Sequence, residues 1–253
     1  MTATGPSAAA LARHPHLAEP RPPERPWRVD CHVHTMWSGD STTTPEELAT
    51  ATVEAGIDVL CITDHSTIAG ALRLAEELPC RVVIGQEQRT PEGEIIGLFL
   101  SERIPPGCRS ASEAARIVRE QGGLVYVPHP FDPLRHRVGE ETLRRLVDEE
   151  LVDIVEARNG KTSLEALNEE AAAFCRATGV AAGGGSDAHV PEAIGAAYIE
   201  MPSFDDASEF LVALRNSSRV VGHHFDSARP WRARIVPSIG STGARQVPGP
   251  GAS

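Results

Sequence analysis

The chain has 253 residues, 41% of them hydrophobic, and a formal net charge of −11. That length bounds it to one barrel-sized domain or two small ones. No run approaches the roughly 18 apolar residues of a membrane span, and so acidic a chain excludes recognition of duplex nucleic acid through a broad basic face.

The charge is unevenly spread. Residues 1–28 hold six prolines and four Arg against two Glu, and residues 225–253 hold four Arg against one Asp. The stretch between them therefore carries −16. Both flanks lack a sustained apolar period, so 1–28 and 225–253 read as disordered tails around one domain over 29–224. Residues 2–20 lack the long apolar stretch of a signal peptide. Cys31, Cys61, Cys80, Cys108 and Cys175 form no C-x-x-C pair. Reduced thiols in a cytoplasmic protein are the expectation, buried as small core residues.

Strand and helix signals alternate along the core. Val29–His34 is a predicted strand. Thr44-Pro45-Glu46-Glu47 is a capping box with Pro at the first helical position, and Gly56 stops that helix. A strand over Ile57–Thr63, a helix over Ile68–Leu78 and a strand over Arg81–Gly85 follow. Glu94–Leu100 is an apolar run entered through a turn at Pro91-Glu92-Gly93. Ser110 caps a helix that ends at Gly122-Gly123. Leu124–Val127, Val152–Val155 and Val180–Ala182 are short continuous apolar runs, as in strands buried on both faces. Helices near 140–149, 163–178 and 205–216 fill the gaps. Repeated strand–helix units predict a parallel sheet with right-handed crossovers.

The strand ends carry the chemistry. In Asp30-Cys31-His32-Val33-His34 the two imidazoles leave one strand side by side, because residues two apart share a face. Further runs end in Thr63-Asp64-His65, Gly85-Gln86-Glu87, Pro128-His129-Pro130 and Ser186-Asp187-Ala188-His189. Metal-ligand side chains at one strand end after another predict a site at a barrel mouth, where barrel enzymes place their chemistry. A closed barrel gathers five strand ends at one point; an open sheet does not. The core is small for eight units, so an incomplete or distorted barrel is expected. Asp64 is read as orienting His65. His14 and His16 lie in the Pro-rich flank, and His223 and His224 lack a motif; all four are read as non-ligands.

The ordered set H-x-H, Asp40, T-D-H, G-x-E, P-H-P and S-D-A-H resembles the PHP (polymerase and histidinol phosphatase) family, from about Val29 to about Tyr198. The resemblance implies an α/β fold, a TIM-like distorted (β/α)7 barrel of PHP type, with two to three divalent ions such as Mn2+, Zn2+ or Fe2+. Carried over by motif, His32, His34, Glu87 and Asp187 would hold one ion. Asp40, His65 and His189 would hold a second. Glu87, His129 and Glu94 would hold a third, with Glu87 bridging. Family members usually have His where this chain has Glu94, which makes the third site more anionic. The catalytic candidates are Asp40, His65, Glu87, Asp187 and His189.

The implied reaction is hydrolysis of a phosphate ester, a phosphomonoester or small nucleotide, by metal-activated hydroxide. Closely spaced ions can clamp the attacking and leaving oxygens of a phosphoryl displacement. For the substrate side, Arg135 and Arg137 lie in a turn-rich loop after His129, and a guanidinium can fork onto phosphate oxygens. Arg158 and Asn159 follow another strand end and are further candidates. Two alternatives stand beside this reading. One is an amidohydrolase-like C–N hydrolase, for which Lys161, the single lysine, is the one candidate bridging lysine. The other is a non-catalytic metal-binding PHP module. The expected partner is a small phosphorylated substrate, with no duplex nucleic acid and no membrane.

Overall fold

The computed structural model describes residues 25–226, together with the backbone of two short strands, Arg234–Pro237 and Ala244–Val247, that pair antiparallel with each other. Residues 1–24 and the rest of 227–253 lie outside the described residues, and with them His14, His16 and most of both expected tails. Among the described residues no helix is long and apolar enough to cross a membrane.

Strands and helices alternate through the core. They run β1 (Trp27–Val33), α1 (Pro45–Ala55), β2 (Val59–Ile62), α2 (Ala69–Leu74), β3 (Arg81–Thr90), β4 (Gly93–Leu98), α3 (Ala111–Glu120) and β5 (Leu124–Val127). Then come α4 (Glu140–Asp148), β6 (Ile154–Asn159), α5 (Glu165–Thr178), β7 (Ala181–Gly185), β8 (Ala197–Met201), α6 (Ala207–Ser217) and β9 (Arg219–Gly222). Local signals account for several boundaries. The Thr44 hydroxyl accepts the Glu47 N–H at 3.3 Å while the Glu47 carboxylate accepts the Thr44 N–H at 3.1 Å. Gly56 then ends α1 at φ 64°, a conformation that costs a side chain steric energy.

One sheet holds β1–β9, in the order β7-β6-β5-β4-β3-β2-β1-β8-β9. β1, β2 and β3 are mutually parallel, as are β5, β6 and β7. β4 departs from the expected parallel sheet and runs antiparallel to both β3 and β5. The cause is the connection: only Pro91 and Glu92 separate β3 from β4, whereas a parallel crossover needs a dozen or more residues. β8 is likewise antiparallel to β1.

The sheet curls into a nearly closed barrel because β1 is shared. Its first half pairs with β8, Val29 opposite Ile199. Its second half receives the chain after β7: the Asp187 N–H donates to the His32 carbonyl at 2.8 Å and the His34 N–H to the Ala188 carbonyl at 3.0 Å. This approach needs glycine at 185, where an added Cβ would collide with the His32 side chain. The short runs of β2 and β5 are buried along their whole length. Leu60, Ile62, Ile96 and Tyr126 fill the interior and adjoining layers. A barrel closed in this way brings the ends of β1, β2, β5 and β7 to one rim.

Candidate metal centre

β1 delivers His32, His34 stands one residue past its end, and the loop that follows delivers Asp40. His65 follows β2, His129 follows β5, and Asp187 and His189 follow β7. Glu87 lies within β3, which runs past the expected end at Gly85 as far as Thr90. The reversed direction of β4 matters here. An antiparallel strand begins at the mouth, so Glu94, its second residue, pairs with Arg89 and returns to the rim.

The structure brings all nine candidate ligands together. Glu87 Oε2 lies 3.1 Å from His65 Nδ1, 3.2 Å from His34 Nε2 and 3.6 Å from His32 Nε2, while its Oε1 lies 3.3 Å from His129 Nε2. Asp187 Oδ1 stands 3.5 Å from His34 Nε2 and 3.4 Å from His189 Nδ1. Asp40 Oδ2 stands 3.0 Å from His65 Nε2 and 3.4 Å from His189 Nε2. Four groups place their ligand atoms within 4.8 Å of one another: His34/Asp40/His65/His189, His32/His34/Asp187, His32/Glu87/His129 and His65/Glu87/Glu94. These cut across the three sets implied by the motifs, with His32, His34 and His65 each reaching a neighbouring set.

The donor set fits divalent ions. Asp40 Oδ1, His65 Nδ1, Glu87 Oε1 and His129 Nδ1 are buried without a hydrogen-bond partner, although some lie close to an unaligned neighbour. Such orphans are costly unless something else satisfies them. His32 Nδ1 faces the Glu156 carboxylate at 3.2 Å and so carries a proton, which points Nε2 inward. With His34 Nδ1 on Ser38 Oγ at 2.9 Å, the two Nε2 atoms lie 3.0 Å apart, a hydrogen bond when His32 is doubly protonated. Loss of that proton would leave two lone pairs that a divalent ion could take up as a ligand pair.

Glu156 was not among the sequence candidates. It is buried at the centre of a network. It accepts the Tyr126 hydroxyl at 2.8 Å, the His129 N–H at 2.7 Å and the Asn159 amide at 2.9 Å, besides facing His32. The His129 bond holds a backbone at φ 30°, and Asp187 sits at φ 51°. Both are side chains forced into the left-handed region, a strain found at functional sites. The replacement Glu156→Gln is expected to weaken metal affinity about 10–100-fold, the scale for outer partners of ligating histidines. Metal titration read beside circular dichroism checks it; unchanged affinity in a folded variant would count against the orienting role.

The other candidates fall on different faces. Arg135 lines a cavity of about 390 Å3 that touches Asp187 and His189. Arg137 is half-buried, with its backbone against Gly93. β6 extends to Asn159 with an irregularity between Glu156 and Arg158, which splits the two remaining candidates. Arg158 turns to Glu165 at 2.5 Å. Asn159 is buried and spends its amide on Glu156 and its carbonyl oxygen on the Lys161 and Thr162 N–H groups. Both side chains thus have protein partners in this structure. Arg89, also missed, bonds Glu94 Oε1 at 2.9 Å and so offsets the carboxylate that departs from the family pattern. His223 and His224 are exposed, and His224 borders the cavity. A larger groove of about 600 Å3 between α1 and the turn at Pro191–Ala193 contains none of the converging imidazoles.

The electrostatics couple the site to pH. Burial alone would raise Glu87, but the imidazoles of His32, His129 and His34 beside it hold it well below the usual range. Burial lowers His34 to about 3. Burial also opposes charge on His32, His65 and His129, yet their carboxylate neighbours raise all three. In the metal-free protein this pairing is fully present below an unfolded value of about 6.5 and is lost as pH rises through the raised values. Metal reverses the sign, since each proton must leave before its lone pair can ligate. Thermal melts should show metal-free protein losing stability above pH about 6.5, while metal-loaded protein does not. Parallel profiles for the two forms would remove the histidines from cation binding.

Fold and site thus define a nearly closed β/α barrel with a His/Asp/Glu centre suited to divalent ions. The PHP domain model matches residues 30–118 and the PHP-associated model residues 165–218. Two uncharacterized proteins of Methanocaldococcus jannaschii are similar. One is 39% identical over 159 residues, covering 56% of this chain and 90% of the relative. The other is 35% identical over 198 residues, covering 74% and 79%. This chain belongs to the PHP family. An error-prone DNA polymerase of Nocardia farcinica is 36% identical over 111 residues, 41% of this chain but 9% of the polymerase. In fold, the chain resembles a two-domain protein of Bacteroides vulgatus containing a predicted PHP-like metal-dependent phosphoesterase, with TM-score 0.62 and 20% identity. That match covers 78% of this chain and 65% of the other. PsfC from Pseudomonas syringae matches with TM-score 0.59 and 16% identity, covering 78% and 92%.

Proposed function

We propose that this chain is a metal-dependent phosphoesterase acting on a phosphomonoester or small nucleotide, with two to three divalent ions such as Mn2+, Zn2+ or Fe2+. The observation that carries the reading is the convergence of five imidazoles and four carboxylates, with orphaned buried donor atoms among them, at the barrel mouth. His32, His34, Glu87 and Asp187 would hold one ion, Asp40, His65 and His189 a second, and Glu87, His129 and Glu94 a third. When bound, such ions supply Lewis-acid polarisation of a phosphoryl oxygen and a nucleophile at neutral pH.

The chain's own residues do the rest. Glu87 holds negative charge between four imidazoles, and Glu156 fixes His32 and the His129 backbone. The Asp40, His65 and His189 side chains are 21%, 14% and 17% exposed, whereas His32 and His34 are sealed. The ester would therefore approach over His189, which with Asp187 lines the 390 Å3 cavity. Arg135 on that wall suits the non-bridging oxygens of the phosphate.

A screen for phosphate release from phosphorylated metabolites, with Mn2+, Zn2+ or Fe2+ added, tests the reading. Release with at least one ion is the expected result. Cleavage of C–N substrates without phosphate release would favour the amidohydrolase alternative, and bound metal without any turnover the non-catalytic one. At the third site, Glu94→His should shift metal preference towards Zn2+, since a carboxylate favours harder ions. Metal content under competition between Mn2+ and Zn2+ reads this directly; unchanged preference would show that Glu94 does not tune the site.

A further inference from the structure

We infer that Lys161, the single lysine of the chain, is a catalytic residue whose ammonium group contacts a phosphoryl oxygen of the ester. The inference rests on the phosphoesterase reading above and adds the group that meets the substrate.

The loop after β6 pins this residue on three sides. The Lys161 N–H donates to Asn159 Oδ1 at 2.9 Å, and the Lys161 carbonyl accepts Arg135 Nη2 at 3.4 Å. The neighbouring Gly160 carbonyl accepts the Phe225 N–H at 2.8 Å. The side chain is 31% exposed and lines the 390 Å3 cavity together with Asp187 and His189.

Its ammonium lacks a settled acceptor. Nζ lies 3.0 Å from His189 Nδ1 and 3.3 Å from Nε2. His189 Nδ1 also lies 2.9 Å from the Asp187 carbonyl, an oxygen that only accepts, so Nδ1 carries the hydrogen and cannot accept from lysine. That leaves His189 Nε2 and Asp187 Oδ1, the latter at 3.6 Å. Both are candidate ligand atoms. Ligation would occupy the single lone pair of His189 Nε2 and leave Asp187 Oδ1 a distant acceptor at 3.6 Å. The ammonium then has donors to spare, next to a cationic centre. An anion between the two charges resolves both problems, and a phosphoryl group has the charge and the acceptors to do so.

The same wall independently selects an anion. Asp132 commits Oδ1 to the Leu134 N–H and Oδ2 to the Thr162 hydroxyl, each at 2.9 Å. Arg135 Nε stands 4.0 Å from that carboxylate and is buried without a hydrogen-bond partner. Two cations without tight carboxylate partners on one small cavity suit a phosphate ester and do not suit a neutral amide.

The test uses full-length, metal-loaded protein and the variants Lys161→Met and Lys161→Arg. Inorganic phosphate serves as the binding probe, read by thermal shift and by product inhibition, with metal content measured alongside. Lys161→Met is expected to weaken phosphate binding and raise KM for the ester about tenfold or more, the scale of one charge-assisted hydrogen bond. Metal content should stay unchanged, and Lys161→Arg should recover part of the loss. Because the chain has one lysine, amine acylation mapped by peptide mass should mark Lys161 and be slowed by phosphate. Wild-type phosphate affinity in Lys161→Met, or loss of metal in both variants, would overturn the inference. Phosphate protection is read without turnover. It therefore still decides the role of Lys161 if wild type hydrolyses none of the esters tried, a result that would count against the phosphoesterase reading instead.

Discussion

Removal of divalent ions is expected to abolish ester hydrolysis and to lower the melting temperature, and return of one transition metal is expected to restore both. An ion present at about 100 times its dissociation constant stabilises the folded state by about 2.7 kcal/mol, which for a barrel of this size is a shift of about 5–10 °C. The structural cause is the density of donors. Asp187 lies within 3.7 Å of three imidazoles, and Glu87 lies within 3.6 Å of four. Without ions Glu87 depends on protonated histidines, and Asp187 on histidines together with Lys161 and the Asn159 amide. Exhaustive chelation, elemental analysis and a melt on the same sample make the measurement. Full turnover in protein shown to be free of metal would end the proposed mechanism.

Glu87→Gln should have the next largest effect. Glutamine keeps the shape but removes the charge and one acceptor from the point where His32, His34, His65 and His129 meet. If Glu87 spans two ions, the variant loses more than one equivalent of bound metal. Activity should fall by about a hundredfold or more, the cost of deleting a key electrostatic element from an active site. The fold should survive, because β3 pairs with β2 and β4 through its backbone. A variant that loses a single ion and keeps its turnover would show Glu87 to be a terminal ligand.

These predictions divide according to where their information lies. The alternation that sets His32 beside His34, the box that starts α1 and the buried run of β5 are all local. Each depends on a handful of adjacent residues, and each is visible in the sequence. So was the placement of five imidazoles, Glu87 and Asp187 near strand ends, because ligand chemistry belongs to the side chain and a parallel strand delivers its end to the rim; Asp40 and Glu94 were legible only through the family resemblance. The expectation of a barrel followed from that repetition.

Only the tertiary structure decided the rest. The reversal of β4 turned Glu94 towards the mouth and set Arg89 upon it, an outcome of which strands pair rather than of either strand's composition. Glu156 belongs to none of the ligand motifs, and its hydrogen bond to His32 spans 124 residues of chain. An irregular step in the pairing of β6 sent Asn159 inward and Arg158 to α5. Closure of β7 against β1 placed Lys161 over His189. The sequence by itself determined which side chains can ligate and roughly where each strand stops. Register and closure determined which of them meet, because a one-residue difference in pairing reverses the face on which a side chain falls.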